Sequence, residues 1–212
     1  MALLVSEIFY SIQGESSYAG RPCAFVRLSG CNLRCSYCDA KYAYTGGKEM
    51  VPDEVIGAIR AYGCPLVEVT GGEPLLQAET PRLIEEFVGL GLTVLVETNG
   101  SQDISFLSPG ATAIVDFKCP SSDAAWANDM ENIGRLRPQD ELKFVVGNRE
   151  DYDFAVNLLA EHPQPGRAVH FQPVFGLMHP KTLAGWILDD RLPVRLSLQL
   201  HKYIWHHKAR GV

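Results

Sequence analysis

The sequence predicts an α/β protein built as a partial, open (βα) barrel of roughly six to seven parallel strands with abridged helices. Three observations carry this. Seven short apolar runs rich in β-branched residues recur along the chain, helix-like segments separate them, and a polar or glycine-rich group ends four of the runs in succession. Continuous apolar strands alternating with helices mark a parallel sheet covered on its faces. Seven units exceed a flavodoxin-like sheet and fall short of eight full ones, so the expected barrel stays open. The 212 residues, 46% hydrophobic and 21% charged, suffice for one sizeable core. No stretch rich in Gly, Pro or Ser divides them, so 1–212 reads as a single domain.

In chain order the expected strands are "CAFVRLS", "PLVEVT", "LTVLVET", "TAIVDF", "ELKFVV", "AVHFQPV" and "VRLSLQL". Helices are expected over 51–62, 81–90, 149–161 and 181–189, with weaker helical segments after Thr98 and after Lys118. Two of the helices carry start signals: Pro52 followed by Asp53 and Glu54, and Thr80 before Pro81. In barrels of this kind chemistry gathers at the C-terminal ends of the strands. There the chain places "SGC" after its first expected strand, "TGGEP" after the second, "ETNG" after the third and "DFKCP" after the fourth.

Composition narrows the function. The formal net charge is -6 and no basic block occurs, which argues against a nucleic-acid partner. Glu7 and Gln13 interrupt the N-terminal apolar residues too early for a signal peptide, and no apolar run approaches the roughly 18 residues of a membrane span. A cytoplasmic protein without a membrane partner is expected. Disulfides are disfavoured there, so clustered cysteines read as metal-binding or catalytic. Cys23, Cys64 and Cys119 are scattered and read as small buried apolar residues.

Cys31, Cys35 and Cys38 form the cluster, C-x3-C-x2-C. A structural zinc site needs a fourth ligand from elsewhere, and no second C-x2-C hook exists. Three soft thiolates at the mouth of a barrel suit a [4Fe-4S] cluster with one iron free of protein ligands. Tyr37, directly before the third cysteine, can shield an edge and contact an adenine. Thr70 to Pro74, "TGGEP", offers exposed backbone groups and a carboxylate for an ammonium, and glycine there permits close approach.

This combination resembles the radical S-adenosylmethionine (radical SAM) superfamily, so the expected barrel is of the radical SAM type and 30–50 is its cluster-binding loop. The resemblance implies that the amine and carboxylate of SAM take the open iron. The reduced cluster then cleaves SAM to methionine and a 5′-deoxyadenosyl radical, which the protein must keep dry and aimed.

The stretch "EIFYSIQGE", Arg27 within its apolar run, "TGGEP", "ETNG", Lys118 and "LSLQLHKY" together resemble, along most of the chain, the 7-carboxy-7-deazaguanine synthases of the queuosine pathway. That resemblance implies a lyase that converts 6-carboxy-5,6,7,8-tetrahydropterin to 7-carboxy-7-deazaguanine with loss of ammonia, beginning with hydrogen abstraction at C6. Residues 1–22 then become a substrate-binding extension. Glu97, with Glu15 second, suits the donor–donor edge of a pterin, and Arg27 the substrate carboxylate. Gln13, with the backbone of Ile12 and Gly14, would read the remaining polar rim. Thr70, His201 and the terminal Val212 are implied near the substrate. Tyr37, Cys38, Asp39, Gly72, Glu73, Asp116 and Lys118 are implied on the SAM side. A flavodoxin or ferredoxin as electron donor and a homodimer also follow from the resemblance.

One position departs from the pattern. Where relatives carry a threonine that ligates Mg2+ against the substrate carboxylate, this chain has Ala40. A methyl cannot ligate a hard cation. Either Mg2+ is held by substrate, Asp39 and water, or the enzyme depends on it less. Rival readings are a glycyl-radical-enzyme activase, which would lack the "SIQGES" and Arg27 combination, and a zinc or electron-transfer module without chemistry of its own. The latter leaves "TGGEP" and Arg27 unexplained.

Overall fold

The computed structural model describes residues 1–212. Its sheet begins with two strands of opposite direction, β1 (Leu3–Ile12) and β2 (Pro22–Leu28), and β3 (Lys48–Met50) pairs with the outer side of β1. From β2 onward the strands run parallel: β4 (Leu66–Gly71), β5 (Thr93–Thr98), β6 (Ala111–Phe117), β7 (Glu141–Val146), β8 (Val169–Pro173) and β9 (Arg195–Leu196). The order is β3-β1-β2-β4-β5-β6-β7-β8-β9, with β3 and β9 at free edges. The seven parallel strands and the open edge agree with the sequence. The two antiparallel strands do not: Leu3–Ile12 alternates buried and half-exposed residues, and read as an extension it is in fact a full strand.

The helices are α1 (Pro52–Ala61), α2 (Thr80–Gly89), α3 (Asn132–Arg135), α4 (Arg149–Glu161), α5 (Pro180–Asp189) and α6 (His201–Ile204). The two prolines act as start signals as expected, while Thr80 lies within α2 and its Oγ1 donates to Pro74 O at 2.6 Å instead of capping the helix. Pro52 opens α1, where Glu54 Oε2 accepts the Val51 N–H at 3.0 Å, and Pro81 stands in the first turn of α2. After Lys118 only short turns and α3 form, and no helix follows Thr98. Chain 99–110 instead crosses in turns pinned by Asn132, whose Nδ2 donates to the carbonyls of Gly100 and Gln102 at 3.1 and 2.8 Å.

The expected last strand is also shorter. Pairing ends at Leu196, after which Leu200 N–H donates to Gly14 O at 2.9 Å, and His201 opens a helical turn. The chain thus leaves the sheet edge to meet the loop after β1.

Strand periodicity fixes which side chains reach the barrel interior. On the helix side, Phe117, Phe144 and Phe171 are fully buried and meet ring to ring along β6, β7 and β8. Each such burial contributes about 1.5–3 kcal/mol. The opposite face carries Arg27, Glu68, Thr70, Glu97, Asp116, Lys143 and Gln172, and register sets Arg27 beside Thr70 and Asp116 beside Lys143. One face of this sheet is therefore a core and the other a polar floor.

Candidate active site

Above that floor lies a cavity of about 660 Å3, a volume typical of sites for small molecules. Its mouth is formed by the loop after β2. Gly30, at φ +95°, turns the chain, and its N–H reaches Ala43 O at 2.8 Å to close the loop on itself. Glu73 N–H donates to Gly30 O at 2.8 Å, joining this loop to the end of β4. Gly72 is required by that junction: a Cβ there would stand 2.2 Å from Gly30 O and 2.7 Å from Cys31 Cβ.

Cys31, Cys35 and Cys38 are free thiols that line the cavity, whereas Cys23, Cys64 and Cys119 are buried elsewhere in the core. Burial raises the pKa of Cys31 and Cys35, so a metal must displace their protons. Cys31 Sγ accepts the Leu33 N–H at 3.4 Å and Asn99 Nδ2 at 3.8 Å, contacts of the kind that tune iron–sulfur centres. No three His, Cys, Asp or Glu side chains converge on a single ion. Three thiols lining one cavity fit a [4Fe-4S] cluster with one cysteine on each of three irons, whereas a structural zinc site takes four protein ligands.

Next to the cysteines, Asp116 Oδ2 receives Lys118 Nζ at 2.7 Å, while Asp116 Oδ1 and Gln172 Oε1 are buried without a partner in the protein. Buried acceptors of this sort await a donor, which a bound polar ligand supplies. Tyr37 lies on the same wall, its hydroxyl donating to Val145 O at 3.3 Å. Glu73 does not line the cavity. Its Oε1 accepts from Leu75 N at 3.0 Å and Thr98 Oγ1 at 2.9 Å, and its Oε2 from Asn99 N at 2.7 Å. The carboxylate expected to receive an ammonium is instead fully buried and holds the strand ends together, and burial pushes its pKa up to about 7.

The far half of the floor is an ionic network around Lys143. Its ammonium donates to Glu15 Oε2 at 2.9 Å and to Glu97 Oε1, and lies 3.7 Å from Asp116 Oδ2. Burial opposes the charge on Lys143, but the three carboxylates outweigh it and hold its pKa well above that of an ordinary lysine. Burial would likewise raise Glu15, yet the charge and hydrogen bond of Lys143 hold it far below the usual range. Glu68 goes the other way: burial, then the charges of Glu97 and Glu15, raise it well above the usual range, and Gln13 Nε2 donates to it. The floor therefore shifts Glu15 and Glu68 in opposite directions.

Of the two glutamates considered for a pterin edge, Glu97 is the more open, with a side chain 27% exposed against 15% for Glu15. Thr70 Oγ1 donates to Glu97 Oε2 at 3.3 Å. Arg27 makes one hydrogen bond within the protein, from Nε to Glu7 Oε1 at 2.8 Å, and Tyr42 donates to the same oxygen at 2.8 Å. Both Nη groups of the fork stay available. Ile12, Gly14 and His201 close the opposite wall. A Cβ on Gly14 would stand 2.1 Å from His201 Nδ1, so the histidine rests directly on the glycine. The tail also lines the cavity, with the Arg210 guanidinium 4.0 Å from the Tyr42 ring centre and Val212 on the cavity wall.

Sequence reasoning missed Lys143, Glu68, Gln172, Gln199 and Lys202. A charge within an apolar run flagged Arg27, and the same signal in "ELKFVV" and "PLVEVT" marks Lys143 and Glu68. Gln199 lies in a stretch read as strand that leaves the sheet after Leu196, and Lys202 in the short helix α6 that follows it.

Residues 25–108 match the model of the radical SAM superfamily. A 7-carboxy-7-deazaguanine synthase of Chlorobaculum tepidum is 48% identical over 99% of this chain and 97% of its own, and one of Koribacter versatilis is 42% identical over 98% and 99%. Among solved structures, QueE from Escherichia coli superposes with a TM-score of 0.80 at 22% identity, covering 95% of both chains. SuiB of Streptococcus suis bound to S-adenosylmethionine gives 0.56 at 14% identity, over 79% of this chain and 48% of its own. The structural likenesses establish the fold. Identity of this level from end to end shows that the chain belongs to the 7-carboxy-7-deazaguanine synthase family of radical SAM enzymes.

Proposed function

We propose that this chain is a radical SAM lyase that converts 6-carboxy-5,6,7,8-tetrahydropterin to 7-carboxy-7-deazaguanine with loss of ammonia, a step of queuosine biosynthesis. The observation that carries the proposal is the composition of one cavity: three free thiols at its mouth, and Arg27, Gln13, Glu15 and Glu97 on its floor. Cys31, Cys35 and Cys38 would hold the [4Fe-4S] cluster, and Tyr37, Asp39, Gly72, Asp116 and Lys118 would flank SAM. When bound, this pair supplies a 5′-deoxyadenosyl radical able to abstract hydrogen from C6 of the substrate.

The protein's own part is placement. Glu97, anchored by Lys143 and Thr70, accepts the ring N–H and exocyclic amine of the pterin as a paired hydrogen bond. Glu15 and Gln13 accept and donate along the remaining edge. The free Nη groups of Arg27 take the carboxylate. His201, held neutral because burial lowers its pKa despite nearby Glu15, offers one donor and one acceptor without adding charge. The tail lining the cavity limits access of water to the reacting atoms. A flavodoxin or ferredoxin as reductant, a homodimer and a cytoplasmic location belong to the same reading.

The anaerobically reconstituted protein, given dithionite, SAM and 6-carboxytetrahydropterin, is expected to yield 7-carboxy-7-deazaguanine together with 5′-deoxyadenosine. Deoxyadenosine without product would overturn the substrate and leave the radical SAM core standing.

A further inference from the structure

The corner of the cavity at Asp39 and Ala40 is where the resemblance places a Mg2+ ion, and the residues there do not fit one. Position 40 offers a methyl. The adjacent carboxylate is already engaged: Lys202 Nζ lies 2.5 Å from Asp39 Oδ2, and Gln199 Nε2 donates to the same oxygen at 3.1 Å. Mg2+ binds through one or two protein oxygens together with water and substrate, and the Asp39 oxygen that could begin such a site is occupied by Lys202 and Gln199. A divalent ion at this place would also face the lysine's charge at short range.

Lys202 is not an ordinary surface lysine. Its side chain is 9% exposed while that of its partner Asp39 is 52% exposed, so the long chain is drawn along the cavity wall. It is held there at its tip by Gln199 Oε1 at 2.7 Å, and the ammonium lies 5.4 Å from the Phe175 ring centre. Gln199 Nε2 also donates to Glu15 Oε1 at 3.0 Å. The position of the ammonium is thereby tied to a glutamate on the floor. Fixing a lysine in one geometry costs side-chain entropy, which three named partners offset here.

We infer that Lys202 supplies, in this chain, the positive charge that a divalent cation would otherwise bring to the substrate's carboxylate, with Asp39 and Gln199 positioning it. The inference rests on the carboxypterin reading above. An ammonium has three N–H donors. Asp39 and Gln199 accept two, and the third is left for a carboxylate oxygen in the cavity that Arg27 also lines. Ala40, on the same cavity wall, contributes no ligand.

The test uses the reconstituted holoenzyme with SAM and 6-carboxytetrahydropterin. Two readouts are taken: free Mn2+ by its paramagnetic resonance signal, as a probe for a Mg2+ site, and product formation in EDTA against added Mg2+. The wild-type chain is expected to leave Mn2+ free and to turn over equally well in EDTA. Loss of one charge-assisted contact in Lys202→Met is expected to raise the substrate KM by about 10- to 100-fold. Lys202→Arg should restore part of it, which guards against a folding defect. The double variant Ala40→Thr with Lys202→Met should bind Mn2+ and become dependent on Mg2+. One Mn2+ bound per wild-type chain, or an unchanged KM in Lys202→Met, would overturn the inference while leaving the proposed reaction intact. Absence of 7-carboxy-7-deazaguanine from the wild-type reaction would overturn both.

Discussion

Lys143 Nζ stands 2.9 Å from Glu15 Oε2, and the two residues lie 128 positions apart in the chain. The same ammonium bonds Glu97 and approaches Asp116, so one buried lysine neutralises carboxylates from the loop after β1, from β5 and from β6. The orientation of both glutamates assigned to the pterin depends on it.

Lys143→Met would therefore leave buried carboxylates without their counter-charge. Breaking such an assembly from one side costs about 3–5 kcal/mol. Urea unfolding should show that loss. Adding Glu15→Gln and Glu97→Gln to the same chain should recover part of it, because the uncompensated charges then disappear. A single variant as stable as the wild type would refute the electrostatic role.

Glu73 gives a stability that depends on pH. Burial raises its pKa from an ordinary carboxyl to about 7, so the folded state binds its proton more tightly than the unfolded chain. The contribution is full below the unfolded pKa near 4.5 and is lost as pH rises through 7, by about 3 kcal/mol in all. Unfolding free energies measured between pH 4.5 and 8 should fall across this window in the wild type. The slope should flatten in Glu73→Gln, whatever that variant's absolute stability.

Two glycines should separate the halves of the site. Gly72→Ala directs its methyl at the Gly30 carbonyl, a backbone atom that cannot move aside, so iron per chain and the iron–sulfur absorption band should drop. Gly14→Ala strikes the His201 ring, which can rotate away. Iron content should there remain normal while substrate KM rises. Loss of iron in Gly14→Ala, or its retention in Gly72→Ala, would contradict this division.

Single replacements of Cys31, Cys35 or Cys38 by alanine should each abolish cluster assembly. Cys64→Ala should keep full iron content, since that thiol is buried with the core and away from the cavity. Iron analysis after anaerobic reconstitution distinguishes the two sets.

Legibility in the sequence followed periodicity. The parallel strands are short apolar runs with turn signals, and their order and their functional ends were readable because burial on both faces leaves a continuous pattern. β1 was not, since its half-exposed alternation is mixed with "SIQGE", a loop-like composition that ends the strand and starts the site. The last strand was overextended for a related reason. Beyond Leu196 the backbone N–H of Leu200 bonds Gly14 O in the N-terminal loop rather than a strand, and a contact across the whole chain leaves no local trace. The cysteines and Arg27 were legible because they violate their surroundings. Glu73 was legible by motif yet differs in use, because a motif names a residue and not which of its atoms face the ligand.

The Gln199–Glu15 hydrogen bond spans 184 positions, and beside it Leu200 closes on Gly14. The three cysteines, by contrast, fall within eight consecutive residues. During synthesis the sulfur ligands leave the ribosome long before the segment that completes the floor. Loop-closure entropy also makes contacts of such long range late to form. The metal ligands of a nascent chain are therefore present before its substrate wall is built. Cluster insertion and pterin selectivity would then be acquired at different times in the life of one polypeptide.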